Sequence, residues 1–260
     1  MQRYMTFDTG DKMYHLGIKR ANPNVISGGD PDRIQRLADN FLEGVELVRN
    51  RGLLTAHGMY QDLRVTAFST GMGPASVCIT LPEVIEACDD DDMLLLRIGT
   101  GGGLQPQLGQ AHYLVTDDVL HDESTSRKIM GSTYQARASE DFRDVILSTA
   151  NANLLVGQEA HVGQTVVTDI IYFDADGDLS RYGDALGMSM EFSVFCALRD
   201  WYKANTPKQI QAGNLLRVSN MIVPSEYKLP EGATLPSSEE VELAHIKTGL
   251  DSLVRMRQLE

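Results

Sequence analysis

Short apolar runs that alternate with amphipathic stretches constrain the fold of this 260-residue chain more than any other feature. Residues 93–98 are apolar except for Arg97, as in a strand that is covered on both faces. Similar runs predict strands at 25–27, 63–69, 112–116, 161–167 and 215–219, and helical spacing predicts helices over 31–42, 75–87, 190–203 and 238–257. Strands followed by helices predict an α/β fold in three layers.

Composition and charge exclude several classes of function. The net charge of −13 disfavours partners such as nucleic acids and anionic membrane surfaces, and no apolar run reaches the ~18 residues of a membrane span. Cys78, Cys88 and Cys196 have no CxxC spacing, which predicts reduced core residues in a cytoplasmic protein. We expect one domain over residues 1–260, with a flexible N-terminal extension over 1–12 and a loop or lid at 224–236.

Two glycine-rich segments that each carry an arginine are typical of a phosphate site. In Gly28–Arg33, two glycines precede a predicted helix whose first N–H groups can bind an anion, and Arg33 adds a planar donor fork. In Arg97–Gly103, a charge inside an apolar run requires a partner, and Thr100 with the following glycine loop can supply donors to a ligand. The alternatives are an ordinary turn at the first segment and a salt bridge from Arg97 to a core carboxylate.

Two polar residues elsewhere are candidates for binding an organic substrate. Glu191 precedes an apolar helix, and its carboxylate can accept hydrogen bonds from vicinal hydroxyls; the alternative is a helix-start acid favoured by the dipole. Asn220 follows a predicted strand, where its amide can face a ligand or can form a turn. Because two arginines and one buried acid suit an anionic nucleophile beside a polyhydroxylated substrate, this set points to phosphorolysis of a nucleoside.

Other chemistries have no motif in this chain. The six histidines lack metal-ligand spacing such as HExxH, so no metal is predicted. The sequence contains no GxSxG or Walker motif, and Gly99–Gly103 differs from the GxGxxG pattern of dinucleotide sites. We therefore expect no cofactor other than inorganic phosphate as a co-substrate.

The combined pattern resembles the hexameric branch of the nucleoside phosphorylase family, which includes bacterial purine nucleoside phosphorylases and uridine phosphorylases. The resemblance extends from about Tyr14 to Arg257. It rests on ordered motifs at Tyr14–Gly17, Gly29–Arg33, Arg51–Gly52, Gly71–Gly73, Arg97–Thr100, Met190–Glu191 and Val218–Asn220. It implies a three-layer α/β/α sandwich with a mixed, partly barrel-like central sheet, assembled as a trimer of dimers.

The resemblance also implies a role for each site residue. The catalytic residues would be Arg97, Glu191 and Asn220. Phosphate would be held by Gly29, Arg33, Arg97 and Thr100, with Arg51 reaching in from a neighbouring subunit. Ribose would be held by Met190 and Glu191, with His15 contributed across the same dimer interface, and the base would contact Gly102, Ile171, Met188, Ser219 and Asn220.

The chain departs from each subfamily at the residues that read the base. Uridine phosphorylases use a glutamine and an arginine in a short loop, and here Asp176 and Asp178 take those places. Purine enzymes that accept adenosine use an aspartate where this chain has Asn220, and an amide donates a hydrogen bond but does not transfer a proton. These departures predict a 6-oxopurine nucleoside.

Three other functions stay open at this point. Uridine phosphorylases also carry an asparagine near this strand end, although Met221 stands where their arginine follows. A hydrolytic nucleosidase resembles this chain around Glu191, but such enzymes lack the full set of phosphate arginines. A nucleoside sensor would keep the fold and bind without turnover.

Overall fold

The computed structural model describes residues 11–172 and 177–259. The predicted N-terminal extension therefore lies outside the described residues except for its last two, and Asp176 lies outside them as well. Over the described ranges the strands are β1 (Asn24–Gly28), β2 (Glu43–Asn50), β3 (Leu53–Tyr60), β4 (Leu63–Ser69), β5 (Asp92–Gly103), β6 (Tyr113–Asp122), β7 (Ala160–Thr168), β8 (Gly187–Ser189) and β9 (Gln209–Met221). The α-helices are α1 (Pro31–Phe41), α2 (Pro74–Glu86), α3 (Thr125–Met130), α4 (Glu140–Ala152), α5 (Phe192–Asn205) and α6 (Ser238–Leu259).

The strands form one mixed sheet in the order β2-β3-β4-β1-β5-β8-β7-β6-β9. β9 also pairs in parallel with β5, from Asp92↔Gln209 to Gly103↔Met221. This extra pairing closes β5, β8, β7, β6 and β9 into a ring, whereas the other four strands extend from it as an open sheet. The predicted mixed, partly barrel-like sheet is therefore confirmed.

Two clusters of buried side chains lie on the two faces of the sheet. One cluster includes residues of α2 and α5, such as Val77 and Phe192. The other includes residues of α1, α4 and α6, such as Leu37. Successive residues of β5 alternate between them, because Met93 belongs to the first cluster and Leu94 to the second. The three-layer α/β/α arrangement is confirmed.

The observed elements differ from the predicted ones in several places. The sequence patterns did not predict β2, β3, β8, α3 and α4. Residues Gly99–Gly103 continue β5, so the predicted glycine loop is wrong. Likewise, β9 runs to Met221 and pairs Asn220 with Gly102, so Asn220 does not form a turn. Within the described residues, no helix has both the length and the apolar character that a membrane crossing requires.

The first turns of two helices follow from their sequences. Asp30 precedes α1, and its Oδ1 accepts a hydrogen bond from Asp32 N at 2.9 Å, while Pro31 occupies the first turn. Ser237 and Glu240 form a reciprocal capping box at the start of α6, with Ser237 N to Glu240 Oε2 at 2.8 Å and Glu240 N to Ser237 Oγ at 3.2 Å. The second of these starts was predicted from the Ser-Ser-Glu-Glu signal.

Candidate active site

A cavity of about 820 Å³ opens where the carboxyl ends of β1, β4, β5 and β9 meet. Ligands of α/β proteins bind at this edge of the sheet. The cavity is lined by predicted site residues from six separate segments of the chain: Gly29, Arg33, Arg51, Arg97, Thr100, Gly102, Ile171, Met188, Met190, Glu191, Ser219 and Asn220. His15 is the predicted site residue that does not line it.

Arg97 lies in the buried part of β5 and makes an ion pair with Glu191; both side chains are 5% exposed. Its Nη1 also donates to Asn214 Oδ1 at 3.2 Å. A Cβ at Gly99 would overlap the Arg97 guanidinium, so a glycine is needed two residues later in the strand. Burial lowers the pKa of Arg97 and Glu191 opposes that shift, and an arginine keeps its charge in such a setting. The salt bridge that was the alternative interpretation of Arg97 is therefore present, and its partner, Glu191, is itself one of the predicted site residues.

Glu191 occupies the position before α5, but its carboxylate does not cap that helix. Instead, Oε1 accepts from Gly73 N at 3.0 Å, at the start of α2, and Oε2 meets Arg97 and accepts from Met190 N at 3.3 Å. Gly73 has φ of +87°, a conformation that favours glycine. Glu191 thus stands at a helix start, as the alternative interpretation has it, and its carboxylate also joins three segments at the wall of the cavity.

Arg33 lies in the first turn of α1, a few residues after Gly28 and Gly29. Its Nε donates to Glu242 Oε1 at 2.6 Å and its Nη1 donates to the Ile98 carbonyl at 3.2 Å. Glu242 also accepts from Arg217 Nη2 at 2.9 Å. A Cβ at Gly29 would stand 3.1 Å from the Gly71 carbonyl oxygen, so two loops approach each other closely here. Sequence reasoning missed both Glu242 and Arg217.

Arg51 and His15 lie toward the rim and the outside of the cavity. Arg51 has φ of +51°, and its Nη2 donates to Tyr14 Oη at 2.7 Å. It lines the cavity of its own chain, whereas the resemblance assigns it to a neighbouring subunit's site. His15 Nδ1 lies 2.7 Å from Glu83 Oε1, so the start of the described chain is tied to α2.

The other end of the cavity is formed where β8 and β9 meet β5. Met188 pairs with Gly102, and a Cβ at Gly102 would overlap the Ile222 side chain. Ser219 Oγ donates to Asn220 Oδ1 at 3.0 Å. With its oxygen accepting from Ser219, the exposed amide of Asn220 keeps its nitrogen available as a donor, and Asn220 lines the cavity.

The family model of the phosphorylase superfamily matches residues 23–199, which include most of the cavity-lining segments. The chain belongs to the phosphorylase superfamily. This finding confirms the resemblance drawn from the motifs, and with it the prediction that the chain is an enzyme of the nucleoside phosphorylase family.

Several relatives have similar sequences over most of this chain. A DeoD-type purine nucleoside phosphorylase of Exiguobacterium sibiricum is 30% identical over 211 residues, covering 80% of this chain and 85% of the relative. One from Roseobacter denitrificans is 33% identical over 193 residues, covering 68% and 76%. One from Bacillus thuringiensis is 27% identical over 235 residues, covering 88% and 96%.

Exposed apolar side chains lie at the mouth of the cavity, among the described residues up to Tyr172. Ile171 is 59% exposed and Tyr172 is 76% exposed, although both line the cavity. Asp178 stands where uridine phosphorylases carry an arginine in our alignment. It accepts from Ser180 N at 2.9 Å, and hydrogen bonding from the Ser180 side chain and then from its backbone lowers the pKa of Asp178. Asp178 therefore caps the short helix Leu179–Tyr182, and it is not a cavity-lining residue.

One group of potential metal ligands lies apart from the residues that line the cavity. His112 Nδ1 is 3.2 Å from His161 Nε2, which is 3.4 Å from Glu159 Oε2. Folding brings these residues together at the starts of β6 and β7, so sequence spacing gave no signal of them. His112 Nδ1 also accepts from Gly109 N at 3.2 Å, so its lone pair already has a protein donor.

Proposed function

We propose that this protein catalyses the phosphorolysis of a 6-oxopurine nucleoside such as inosine or guanosine, giving the free base and ribose 1-phosphate. The observation that carries the proposal is the buried Arg97–Glu191 pair on the wall of the cavity. It brings a strong phosphate donor next to an acceptor for the ribose hydroxyls. The relatives that are named purine nucleoside phosphorylases support the same class of substrate.

In the proposed mechanism, the phosphate dianion binds at one end of the cavity and the departing base, which takes up negative charge, lies at the other. Arg33, Arg97, Thr100 and the α1 N-terminus bind the phosphate dianion below C1′ of the sugar. Glu191 and Met190 fix the ribose, so that C1′ faces the nucleophile as the glycosidic bond loosens. Attack with inversion forms the C1′–O bond to phosphate, and the electron pair of the glycosidic bond leaves with the base. Positioning of the two reactants contributes ~7–11 kcal/mol.

Asn220 stabilises the departing base in this proposal. Its amide N–H donates to N7 or O6 of the oxopurine, where negative charge develops. A fixed donor at such a position contributes ~2.7–4 kcal/mol. Ile171 and Met188 supply apolar walls for the base, and Gly102 and Ser219 complete its surroundings. A uridine phosphorylase is the alternative, but Asp178 and Met221 stand at two positions where uridine phosphorylases carry an arginine.

Assembly is part of the proposal, because the family shares its sites between subunits. Two apolar residues of β2, Val45 and Leu47, are exposed close to the strand turn that carries Arg51. A homodimer that covers this edge would place Arg51 and His15 near a second cavity, and three such dimers would give a hexamer. Sedimentation velocity tests the assembly; a monomer with full activity contradicts it. The cytoplasmic location predicted from the three free cysteines stays a prediction.

The test is base release from inosine, guanosine, adenosine and uridine, each with and without added phosphate. Phosphate-dependent release from inosine and guanosine supports the proposal. Release from uridine alone moves the assignment to the alternative, and release without phosphate identifies a hydrolase. Binding of nucleosides without release in any sample contradicts an enzymatic role and indicates a sensor.

A further inference from the structure

Glu242 lies behind the phosphate end of the cavity and does not line it. Its two oxygens contact different arginines: Arg33 Nε at 2.6 Å and Arg217 Nη2 at 2.9 Å. The side chains of Arg33, Glu242 and Arg217 are 8%, 10% and 16% exposed. Such a carboxylate, held by two guanidinium groups away from bulk water, is costly to remove because its partners would be left unpaired.

The contact with Glu242 fixes the orientation of Arg33. Glu242 binds the Nε edge of the guanidinium, and the Ile98 carbonyl accepts from Nη1 at 3.2 Å. Because both bonds engage the same planar group, they leave Nη2 available to a ligand in the cavity. A Cβ at Gly28 would stand 3.1 Å from Arg33 Cδ, so the aliphatic part of the side chain is also closely confined.

Arg217 changes the charge at this end of the site. Arg33 and Glu242 alone would cancel each other, and Arg97 is already paired with Glu191. Arg217, which is half-buried, adds a third arginine to the two carboxylates, which leaves one net positive charge within this group of ion-paired residues. In a chain with a net charge of −13, this local excess opposes the overall field.

We propose that Glu242 is a positioning residue that aims Arg33 at phosphate, and that Arg217 balances the charge of Glu242 so that Arg33 still attracts the anion. The inference rests on the proposed function, in which Arg33 is a phosphate ligand. It extends the site to Glu242 of α6 and Arg217 of β9, which act on the anion through Arg33. Neither residue touches the substrate in this arrangement.

The test measures binding of inorganic phosphate by calorimetry, which needs no turnover, followed by steady-state kinetics. Glu242→Gln keeps the shape of the side chain but presents a donor to one of the two arginines. Removal of the negative charge by itself favours the anion, but it also releases Arg33 from its orientation; we expect the loss of orientation to dominate and the Kd for phosphate to rise about tenfold or more. The KM for phosphate should rise in parallel, and the KM for the nucleoside should change less than about twofold. Glu239→Gln is the matched control, because it makes the same charge change at an exposed position of α6.

Two variants of Arg217 separate charge from packing. Arg217→Gln removes the excess charge and should raise the Kd for phosphate about tenfold, whereas Arg217→Lys keeps the charge and should stay within about threefold of the parent. Glu242→Asp serves if Glu242→Gln does not fold; it keeps the charge but withdraws it by one methylene, and it should also weaken phosphate binding.

Several results would overturn the inference. One is a Glu242→Gln protein that melts earlier but binds phosphate as the parent does, since that marks a purely structural residue. Equal loss in Arg217→Lys and Arg217→Gln would contradict the charge balance. A parent protein that binds phosphate in a Glu242-dependent manner but cleaves no nucleoside would sink the proposed function and support the positioning role.

Discussion

The two ends of the cavity are built from different kinds of contact. At the phosphate end, Arg33, Arg97 and Glu191 are buried, and each is held by a charged partner. At the base end, Ile171 and Asn220 are exposed, and their surroundings are apolar or neutral. The first end therefore fixes charge in place, whereas the second leaves room for different bases. Under the proposed function, this difference assigns the reaction type and the base preference to separate parts of the site.

Of the substitutions that test the two ends, Arg97→Ala at the phosphate end should have the largest effect on turnover and stability. It removes a phosphate donor and leaves Glu191 as a buried carboxylate without its cation. We expect turnover to fall by about 10³-fold and the free energy of unfolding to fall by about 3–5 kcal/mol. Phosphate-dependent base release and urea unfolding measure the two quantities. Arg97→Lys keeps the charge without the planar fork and should lose less of both; near-normal turnover in Arg97→Ala would refute the phosphate role.

Glu191→Gln tests the partner of that arginine. The amide keeps an oxygen for Gly73 N–H, but it removes the charge that pairs with Arg97 and the acceptor strength offered to ribose hydroxyls. We expect kcat with ribonucleosides to fall by about 10²-fold, with a measurable loss of thermal stability as well. Assays well below the melting temperature separate the two effects. Turnover equal to that of the parent protein would remove Glu191 from the ribose site.

Most residues at the phosphate end of the cavity could be predicted from the sequence, because charged residues stand out within apolar segments. Arg97 interrupts an apolar strand, and Glu191 precedes an apolar helix, so each required a partner. That they partner each other could not be predicted, since 94 positions separate them along the chain. Glu242 was missed although it lies on the buried stripe of α6 with His245 and Ile246. An acid on such a stripe is the signal that would have found it.

Elements with weak sequence patterns were the ones that prediction missed. β2 is exposed along most of its length, so it lacks the alternation that marks a half-buried strand. The segment Gly99–Gly103 was interpreted as a loop because glycine is rare in strands. Its glycines are nevertheless needed, because a Cβ at any of them would overlap atoms of neighbouring residues. At Gly101, a Cβ would stand 2.7 Å from the Met188 carbonyl oxygen. The partial barrel depends on this close approach of β5 and β8.

Asn220→Asp has the smallest expected effect, because it alters base preference and leaves the phosphate end unchanged. A carboxylic acid can transfer a proton to N7 of adenine, which an amide cannot do. We expect the ratio of kcat/KM for adenosine to that for inosine to rise by about tenfold or more, while the KM for phosphate stays within about twofold.

The same variant decides whether the two ends act independently. If the KM for phosphate shifts together with the ratio of the two bases, Asn220 influences both ends and the two ends do not act independently. If neither shifts, Asn220 does not read the base, and residues at the mouth of the cavity must determine the choice between oxopurines and uracil.

Ile171→Ala then becomes the informative variant, because Ile171 is an apolar residue at that mouth. A change of base ratio in Ile171→Ala alone would place recognition in the open loop, whose apolar surface favours stacking over hydrogen bonding.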